Sequence, residues 1–585
     1  MTEQTRLILM LALVMGGYLL AALLLARRLL RPAARRLLAV FLLIAIFIIS
    51  MHLPTRGQPG FWRWFFHPSS ELAAGAIFSS LQYVLALLTA LLIGLLGRWP
   101  RLWHRFYWLI LAGLFAFLCI DEYFALHESV LLWRYLYPLA GATAVGLTVL
   151  AWALTFRRDW WVVVLMVVGF GIMGFSGVAL DAFSNEQLLR FGSYEVTWFA
   201  CSDDFLGLPC QSYGFAEEFL EMAGVTLILA TLLSYLLVKA PPEAGRRIRR
   251  VLVIGAALWL AWTVANPWLI PSVEALLPGT QRVALTYADD GLRLLGYRQS
   301  TDAIAPGGAV DIAIYFRADR PLTQDYHLSV HALARPNAES VAQADIQLGE
   351  WEYPSSAWIP GLAVRNRVRL EFPADLPSDP ASYRIVLRVW YPDAPRKTLT
   401  MDELNGLLIV DSAQPLITPD TVELFGLAVL TPTTLPEPPT AADYRFAGDL
   451  TLAGYDLPEA ATLGETLPLA FWWRTGSRLA LNADMVQFIH LFHSNGQDYW
   501  VYDRPPFDDR FPTGDWPGGV TLRDSVSVPL PADLPPGEYT VRTGLYEPVN
   551  RDRLVVTDSA GAVVTDYSII LGTVTLAAPP ESGGG

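Results

Sequence analysis

The chain has 585 residues, of which 53% are hydrophobic and only 17% charged, against about 25% charged in typical soluble domains. Its net charge of −13 is uneven: residues 1–279 hold 20 basic and 16 acidic residues, and residues 280–585 hold 22 and 39. The length exceeds what one core organises, the low charge points to lipid, and the acidic half excludes nucleic acid as a partner, since that affinity rests on Lys and Arg against phosphate.

Eight apolar runs reach the roughly 20 residues that a bilayer requires: 6–26, 37–53, 72–97, 103–121, 135–156, 160–181, 217–238 and 251–270. The first is too long for a signal-peptide core, and no small-residue cleavage site follows it, so it reads as a helix. Arginine placement predicts the orientation. Arg27, Arg28, Arg31, Arg35 and Arg36 follow the first run, and Arg98, Arg101 and Arg105 flank the gap after the third. Arg157 and Arg158 follow the fifth, and Lys239, Arg246, Arg247, Arg249 and Arg250 follow the seventh. These alternate connections share one side, the cytoplasm by the positive-inside rule. The N-terminus and everything after about residue 271 are then extracytoplasmic. Trp62, Trp64, Phe65 and Phe66 read as an aromatic belt at the membrane interface. Cys119 reads as a core thiol within a helix. Cys201 and Cys210 fall in the long outer loop 182–216, where an oxidising compartment permits a disulfide; two free thiols are the alternative.

Ionisable groups at the edges of membrane helices are costly and mark function. Here they gather on the predicted outer side. The fourth run ends in Asp121, Glu122, His127 and Glu128, the sixth in Asp181, and the second near His52; the seventh opens with Glu217, Glu218 and Glu221. Asp121 and Glu128 are seven apart, and Glu217 and Glu221 four apart, so each pair shares a helix face. Carboxylates and an imidazole converging from several helices could hold a divalent metal ion, with Asp121, His127, Glu128 and Glu221 as the candidate ligands. Such an ion would acidify a water for hydrolysis. Without it, a carboxyl in an apolar setting could act as acid or base. The plainer account is that Glu217 and Glu218 sit at a helix N-terminus, where the macrodipole favours anions, or are simply solvated. Asp121 and Glu122 lie at a C-terminus, where the dipole is unfavourable.

The architecture resembles, loosely, the zinc-dependent seven-helix lipid hydrolases such as the alkaline ceramidases. Their multiple-histidine pattern is missing, so the resemblance implies no ligands. Polytopic glycosyltransferases that use lipid-linked sugars usually carry an acidic motif in the first outer loop; residues 54–71 here hold only Glu71.

The acidic half reads as two copies of one unit at a period near 158. LLGY at 294–297 matches LAGY at 452–455, VDIAIYFR ending at Arg317 matches LPLAFWWR ending at Arg474, and His331 matches His490. Trp358 matches Trp516, PADLP at 373–377 matches 531–535, and SYRIVLRVWYP matches EYTVRTGLYEP. Alternating apolar residues punctuated by Gly, Pro and Asp predict antiparallel sandwiches. The unit resembles the β-sandwich modules attached to polytopic glycosyltransferase-like membrane proteins of bacteria. That resemblance is carried by the Gly-Tyr start, the FIHLF strand, Asp503, Trp516-Pro517-Gly518, the PADLPPGEY segment and Gly544-Leu545-Tyr546, and it implies a cell-envelope setting. The first copy lacks an evident equivalent of Asp503. Trp472, Trp473, Trp500 and Trp516 could stack on sugars but read first as core. Asp503, Asp508, Asp509 and Asp515 could bind calcium, but their spacing matches no EF-hand and a solvated loop is the simpler reading. His331 and His490 read as core histidines.

The expected fold is an α-helical polytopic membrane domain of about eight helices (1–272), then two tandem all-β antiparallel sandwiches (283–411 and 440–576). A Pro/Thr-rich linker (412–439) joins them, and a disordered tail (577–585) follows. Three functions fit. The first is an enzyme of the bacterial plasma membrane acting at its outer face on a lipid or lipid-linked glycan through the carboxylate/His cluster. The second is a non-catalytic envelope protein whose modules bind polysaccharide or partner proteins. The third is a cation-coupled transporter. An anchor alone needs one helix, and a transporter calls for midplane polar groups, so the first is preferred.

Overall fold

A computed structural model describes residues 3–55, 60–67, 73–97, 99, 104–124, 133–155, 157–180, 189–191, 194–196, 204–205, 208–288, 291–335, 337–349, 353–391, 405–412, 414, 416–431, 434–477, 479, 481 and 483–578. The apolar runs are helices: α1 (Glu3–Leu29), α2 (Pro32–Thr55), the short α3 (Phe61–Phe65), α4 (Ala74–Leu96), α5 (His104–Phe124), α6 (Trp133–Thr155), α7 (Trp160–Gly174), α8 (Gly214–Lys239), α9 (Gly245–Val264) and α10 (Ile270–Glu274). Among the described residues seven helices are long and apolar enough to cross a membrane, so the chain is a multi-pass membrane protein. The apolar stretch of α6 is shorter, Gly141–Leu154.

α8 is the axis of the bundle. Phe219, Met222, Ile228, Leu232 and Tyr235 along it are fully buried, and it packs against α2, α4 and α7. Two glycines set its crossing with α7: a Cβ on Gly224 would lie 2.9 Å from the Gly169 carbonyl oxygen, and one on Gly169 3.1 Å from that of Gly224. Small residues let membrane helices approach this closely, where packing replaces the hydrophobic drive. Leu9, Leu13, Leu20 and Leu24 of α1 and Val253 and Leu258 of α9 point outward and exposed, as lipid-facing positions should. α7 ends in a π turn, Phe175–Leu180, and α9 in another, Ala265–Leu269. The second contains Pro267, which has no N–H to donate to the preceding turn.

The acidic half is two predominantly antiparallel all-β units. The first has strands β1 (Gln281–Tyr287), β2 (Leu292–Gln299), β3 (Ala303–Ile304), β4 (Ala309–Ala318), β5 (His327–Ala334), β6 (Ser340–Gln347), β7 (Ala363–Glu371), β8 (Ala381–Tyr391), β9 (Ile409–Ser412) and β10 (Thr421–Val429). The second has β11 (Thr440–Phe446), β12 (Leu450–Asp456), β13 (Ala460–Thr462), β14 (Thr466–Thr475), β15 (Val486–His493), β16 (Tyr499–Arg504), β17 (Thr521–Pro529), β18 (Gly537–Tyr546), β19 (Val556–Thr557) and β20 (Ile569–Ala577). Sheet orders correspond. The first unit has β7-β4-β2-β1-β9 and β6-β5-β8-β10, the latter extended by the short strands Leu416–Thr418 on β10 and Asn405–Gly406 on β8; the second has β17-β14-β12-β11-β19 and β16-β15-β18-β20. β3 and β13 each add in parallel, to β10 and β20.

Irregularities repeat as well as strands. The ladder slips between Leu294 and Gly296 and again between Leu452 and Gly454, so the glycine of each LLGY/LAGY segment marks a bulge. The following tyrosines reach across the core: Tyr297 Oη donates to Leu424 O (2.7 Å) and Tyr455 Oη to Leu571 O (2.5 Å). Trp358 Nε1 donates to Tyr353 O (3.2 Å) and Trp516 Nε1 to Phe511 O (2.9 Å), each five residues back. Asp325 and Asp484 accept from the Ser356 and Gly514 amides, and Ser355 and Thr513 from those of Tyr326 and Met485. One loop buckle is thus built twice.

Three expectations need correction. Residues 412–439 are not all linker: β10, from within them, pairs with β8 and completes the first unit's second sheet. Asp503 does have an equivalent: it pairs across strands with Phe488, and Asp345 pairs likewise with Ser329 at the same register. The aromatic segment is not simply a belt. Trp62 is exposed, but Trp64 is buried, with its ring 4.5 Å from that of Tyr353 in the first β unit.

Candidate functional site

The first β unit docks on one end of the bundle. Arg365 of β7 forms an ion pair with Glu274 at the end of α10, Nη1 to Oε2 2.9 Å. The Tyr315 hydroxyl donates to the same oxygen (3.2 Å), and the Ala363 amide donates to Ser272 Oγ (2.9 Å). Burial, then the Glu274 charge, pushes the Tyr315 phenol up to about 12. Trp64 and Tyr123 belong to the same buried apolar cluster as the first unit's core. Tyr123, at the end of α5, accepts from Asn266 Nδ2 (3.0 Å), stacks edge-on to Trp259, and lies within electrostatic reach of Arg365.

Directly beneath lies the acidic end of the bundle. Asp121 is buried on α5, and Glu122 is half-buried beside it. Glu217, Glu218 and Glu221 occupy the first two turns of α8, all half-buried. The charges of Glu122, Glu221 and Asp121 all bear on one phenol, the buried Tyr83 of α4, whose hydroxyl contacts Met173 Sδ at 3.4 Å. The Glu221 carboxylate lies against Gly177 in the π turn after α7, where a Cβ would collide with its Oε1. Ser176 Oγ in that turn donates to the Glu217 carbonyl (2.5 Å). Two helices, α5 and α8, therefore carry carboxylates within electrostatic reach of one tyrosine on a third, α4. Polar groups continue inward: Trp259 Nε1 donates to Ser80 Oγ (3.1 Å), Cys119 Sγ meets Ser80 O (3.6 Å), and Gln82 Nε2 donates to Thr226 Oγ1 (3.0 Å).

Of the expected site residues, Asp121, Glu122 and Glu221 each lie within electrostatic reach of Tyr83, and Glu217 and Glu218 stand on the same helix end as Glu221. His127, Glu128, Asp181 and Cys201 lie outside the described residues; Cys210 opens the short turn that leads into α8. Among the described residues no three His, Cys, Asp or Glu side chains are placed to hold a metal ion, and none forms a disulfide; Cys119 is a free, buried thiol. His52 is buried at the end of α2 with its ring 5.1 Å from His67 and 4.9 Å from Phe215.

The acids of the second unit disperse. Asp503 accepts from Tyr546 Oη (3.1 Å) and meets His490 Nε2 (3.1 Å), and Asp508 pairs with Arg504. Asp515 is held by Ser382 Oγ (2.7 Å) and Arg335 (3.3 Å) of the first unit. Trp472, Trp473 and Trp516 are buried core residues. Sequence reasoning missed Tyr83, Arg365 and Glu274. The Asn266-Pro267 pair inside an apolar run was the available signal for a broken helix at this junction.

No protein family and no curated protein matches this chain.

Proposed function

We propose that the chain is an envelope enzyme of a bacterial plasma membrane, with eight membrane helices, counting α6, and two extracytoplasmic β-sandwich modules. It acts at the outer face on a lipid or lipid-linked glycan. The carboxylates Asp121, Glu122 and Glu221 at helix ends near the docked β module, all within electrostatic reach of buried Tyr83, support this reading. Carboxylates with apolar surroundings divide naturally into a proton donor and a proton acceptor. One would protonate the leaving oxygen of a headgroup bond while the other takes a proton from the attacking hydroxyl or water. The apolar bundle would hold the lipid chain, and the module would exclude bulk water above the reacting bond. His127, Glu128 and Asp181 are placed by sequence near the same helix ends and extend the candidate set. The resemblance of the modules to those of glycosyltransferase-like proteins supports the envelope setting.

The test is turnover. The full chain in nanodiscs is incubated with a bacterial total-lipid extract, and lipid species are followed by mass spectrometry, with elemental analysis of the same sample. Wild type should convert at least one species that an Asp121→Asn/Glu221→Gln variant of equal thermal stability leaves intact. Identical lipid profiles for the two proteins would remove the enzyme reading.

A further inference from the structure

The outer face of the second module's β16-β15-β18-β20 sheet does not look like a solvated sheet face. Such faces are normally polar. Here the register lays out three rows across the strands. Val501, His490, Arg542 and Ile570 form one, Tyr499, Phe492, Thr540 and Thr573 the next, and Asp503, Phe488 and Gly544 the third. Tyr499 is 60% exposed, Ile570 54%, Val501 44% and Phe492 39%. The inward residues Ile489 and Leu491 belong to the core, so these four lie on the sheet's opposite face.

The face is ordered by its own contacts. Phe492 and Tyr499 stack with centroids 6.2 Å apart and planes 28° from parallel. The Arg542 guanidinium lies over Phe492 at 5.3 Å, and Arg553 over Phe488 at 4.5 Å. His490 sits between the two phenylalanines, 4.9 and 6.3 Å from their rings. Its Nε2 meets Asp503 Oδ1, and Asp503 Oδ2 accepts from Tyr546. Rigid aromatic surface lies flush with fixed donors and acceptors.

The first module provides an internal comparison. It keeps the histidine as His331 and the acid as Asp345, but the positions of the aromatic pair are Leu333 and Ser340. The core, bulges and buckle are common to both copies, so the aromatic pair is a difference laid on a shared scaffold. Charge narrows the ligand. The half of the chain containing this face carries a net −17, which opposes an anionic polymer or an anionic lipid surface. A neutral glycan fits: the C–H face of a pyranose stacks on an aromatic ring, and its hydroxyls match a carboxylate, an imidazole and a guanidinium.

We propose that this sheet face is a binding platform for a neutral glycan, with Phe492 and Tyr499 stacking on sugar rings and Asp503, His490 and Arg542 hydrogen-bonding their hydroxyls. The site is separate from the carboxylates of the bundle, so Asp121→Asn/Glu221→Gln should leave it intact. The experiment measures retention of the full chain in nanodiscs on immobilised neutral hexasaccharides of glucose, xylose, mannose and N-acetylglucosamine, with polygalacturonate as the anionic control. At least one neutral hexasaccharide should bind, and Phe492→Ala/Tyr499→Ala should weaken it by at least about tenfold, with a cooperative unfolding transition retained, since the core residues Ile489 and Leu491 are untouched. Asp503→Ala, which keeps both rings, should weaken the same glycan, and Leu333→Ala in the first module should not. Failure to retain any neutral hexasaccharide, equal retention by the ring-less variant, or preference for polygalacturonate would each overturn the proposal.

Discussion

Replacing Arg365 with methionine keeps the length of the side chain and removes its charge. Glu274 then faces the Tyr315 hydroxyl without its cation. Arg365 is 8% exposed and Glu274 24%. Breaking a fully buried pair from one side costs about 3–5 kcal/mol. Glu274 keeps some solvent and the Tyr315 hydroxyl as a donor, which lowers the expected cost to roughly 2–3 kcal/mol. The Ala363 amide donates to Ser272 across this junction, so its hydrogen exchange reports undocking directly. In Arg365→Met its exchange should accelerate roughly 30- to 160-fold, while amides of β17 in the second module stay unchanged. An acceleration below about threefold, or an equal one in β17, would refute the view that this ion pair holds the module to the membrane domain.

Two further predictions concern the modules. Burial lowers the His331 pKa, partly offset by the Asp345 carboxylate, and burial lowers that of His327 as well. The unfolded chain therefore binds protons that the folded module refuses: stability is whole above the ordinary histidine value of about 6.5 and falls as pH drops below it. Calorimetry of the full chain at pH 7.5 and 5.5 should show the first module's transition moving down, and His331→Gln should shrink that shift; an undiminished shift would contradict the assignment. Between modules, a Cβ on Gly426 would collide with the Asp515 carboxylate, so Gly426→Ala should cost about 1–3 kcal/mol of docking. Spin-label distances between the modules should then broaden, and an unaltered distribution would show that Asp515 does not fix their orientation.

The helices were legible because a bilayer demands a composition that little else produces, and each apolar run from 6–26 to 251–270 holds a helix among its described residues. The duplication was legible because bulge glycines and buckle tryptophans recur at nearly constant spacing. β10 was not. Its Val422, Leu424 and Leu427 are interrupted by Gly426, it pairs across a bulge at Ile385–Val386, and the Pro-rich run after it made the region read as linker. Asp345 was hidden for a different reason: the same period of 158 leads to Asp503, but the flanking Ala344 and Ile346 bear no likeness to Tyr502 and Arg504. Arg365 alternates with Arg367 and Arg369 and so reads as solvent-facing. Only the docked bundle turns that position into a buried one. For the candidate site, sequence found the carboxylates because charges at membrane helix ends are rare. It could not find Tyr83, which looks like any other aromatic residue in an apolar helix.

The connection between bundle and first module is six residues, from Ala275 to Thr280, and Thr280 Oγ1 donates back to the Glu274 carbonyl at 2.7 Å. With Arg365 on Glu274 and Asp515 against Gly426, side-chain contacts tie each β unit to the body before it, as the stays of a mast would. A glycan held on the outer module would be presented from a fixed height and bearing, not dangled. A flexible tether confers an effective concentration in the millimolar range that falls with its length. A rigid mast instead raises encounter at the reach it matches and forbids the rest. Lengthening 275–280 with glycine and serine would turn a ruler into a leash.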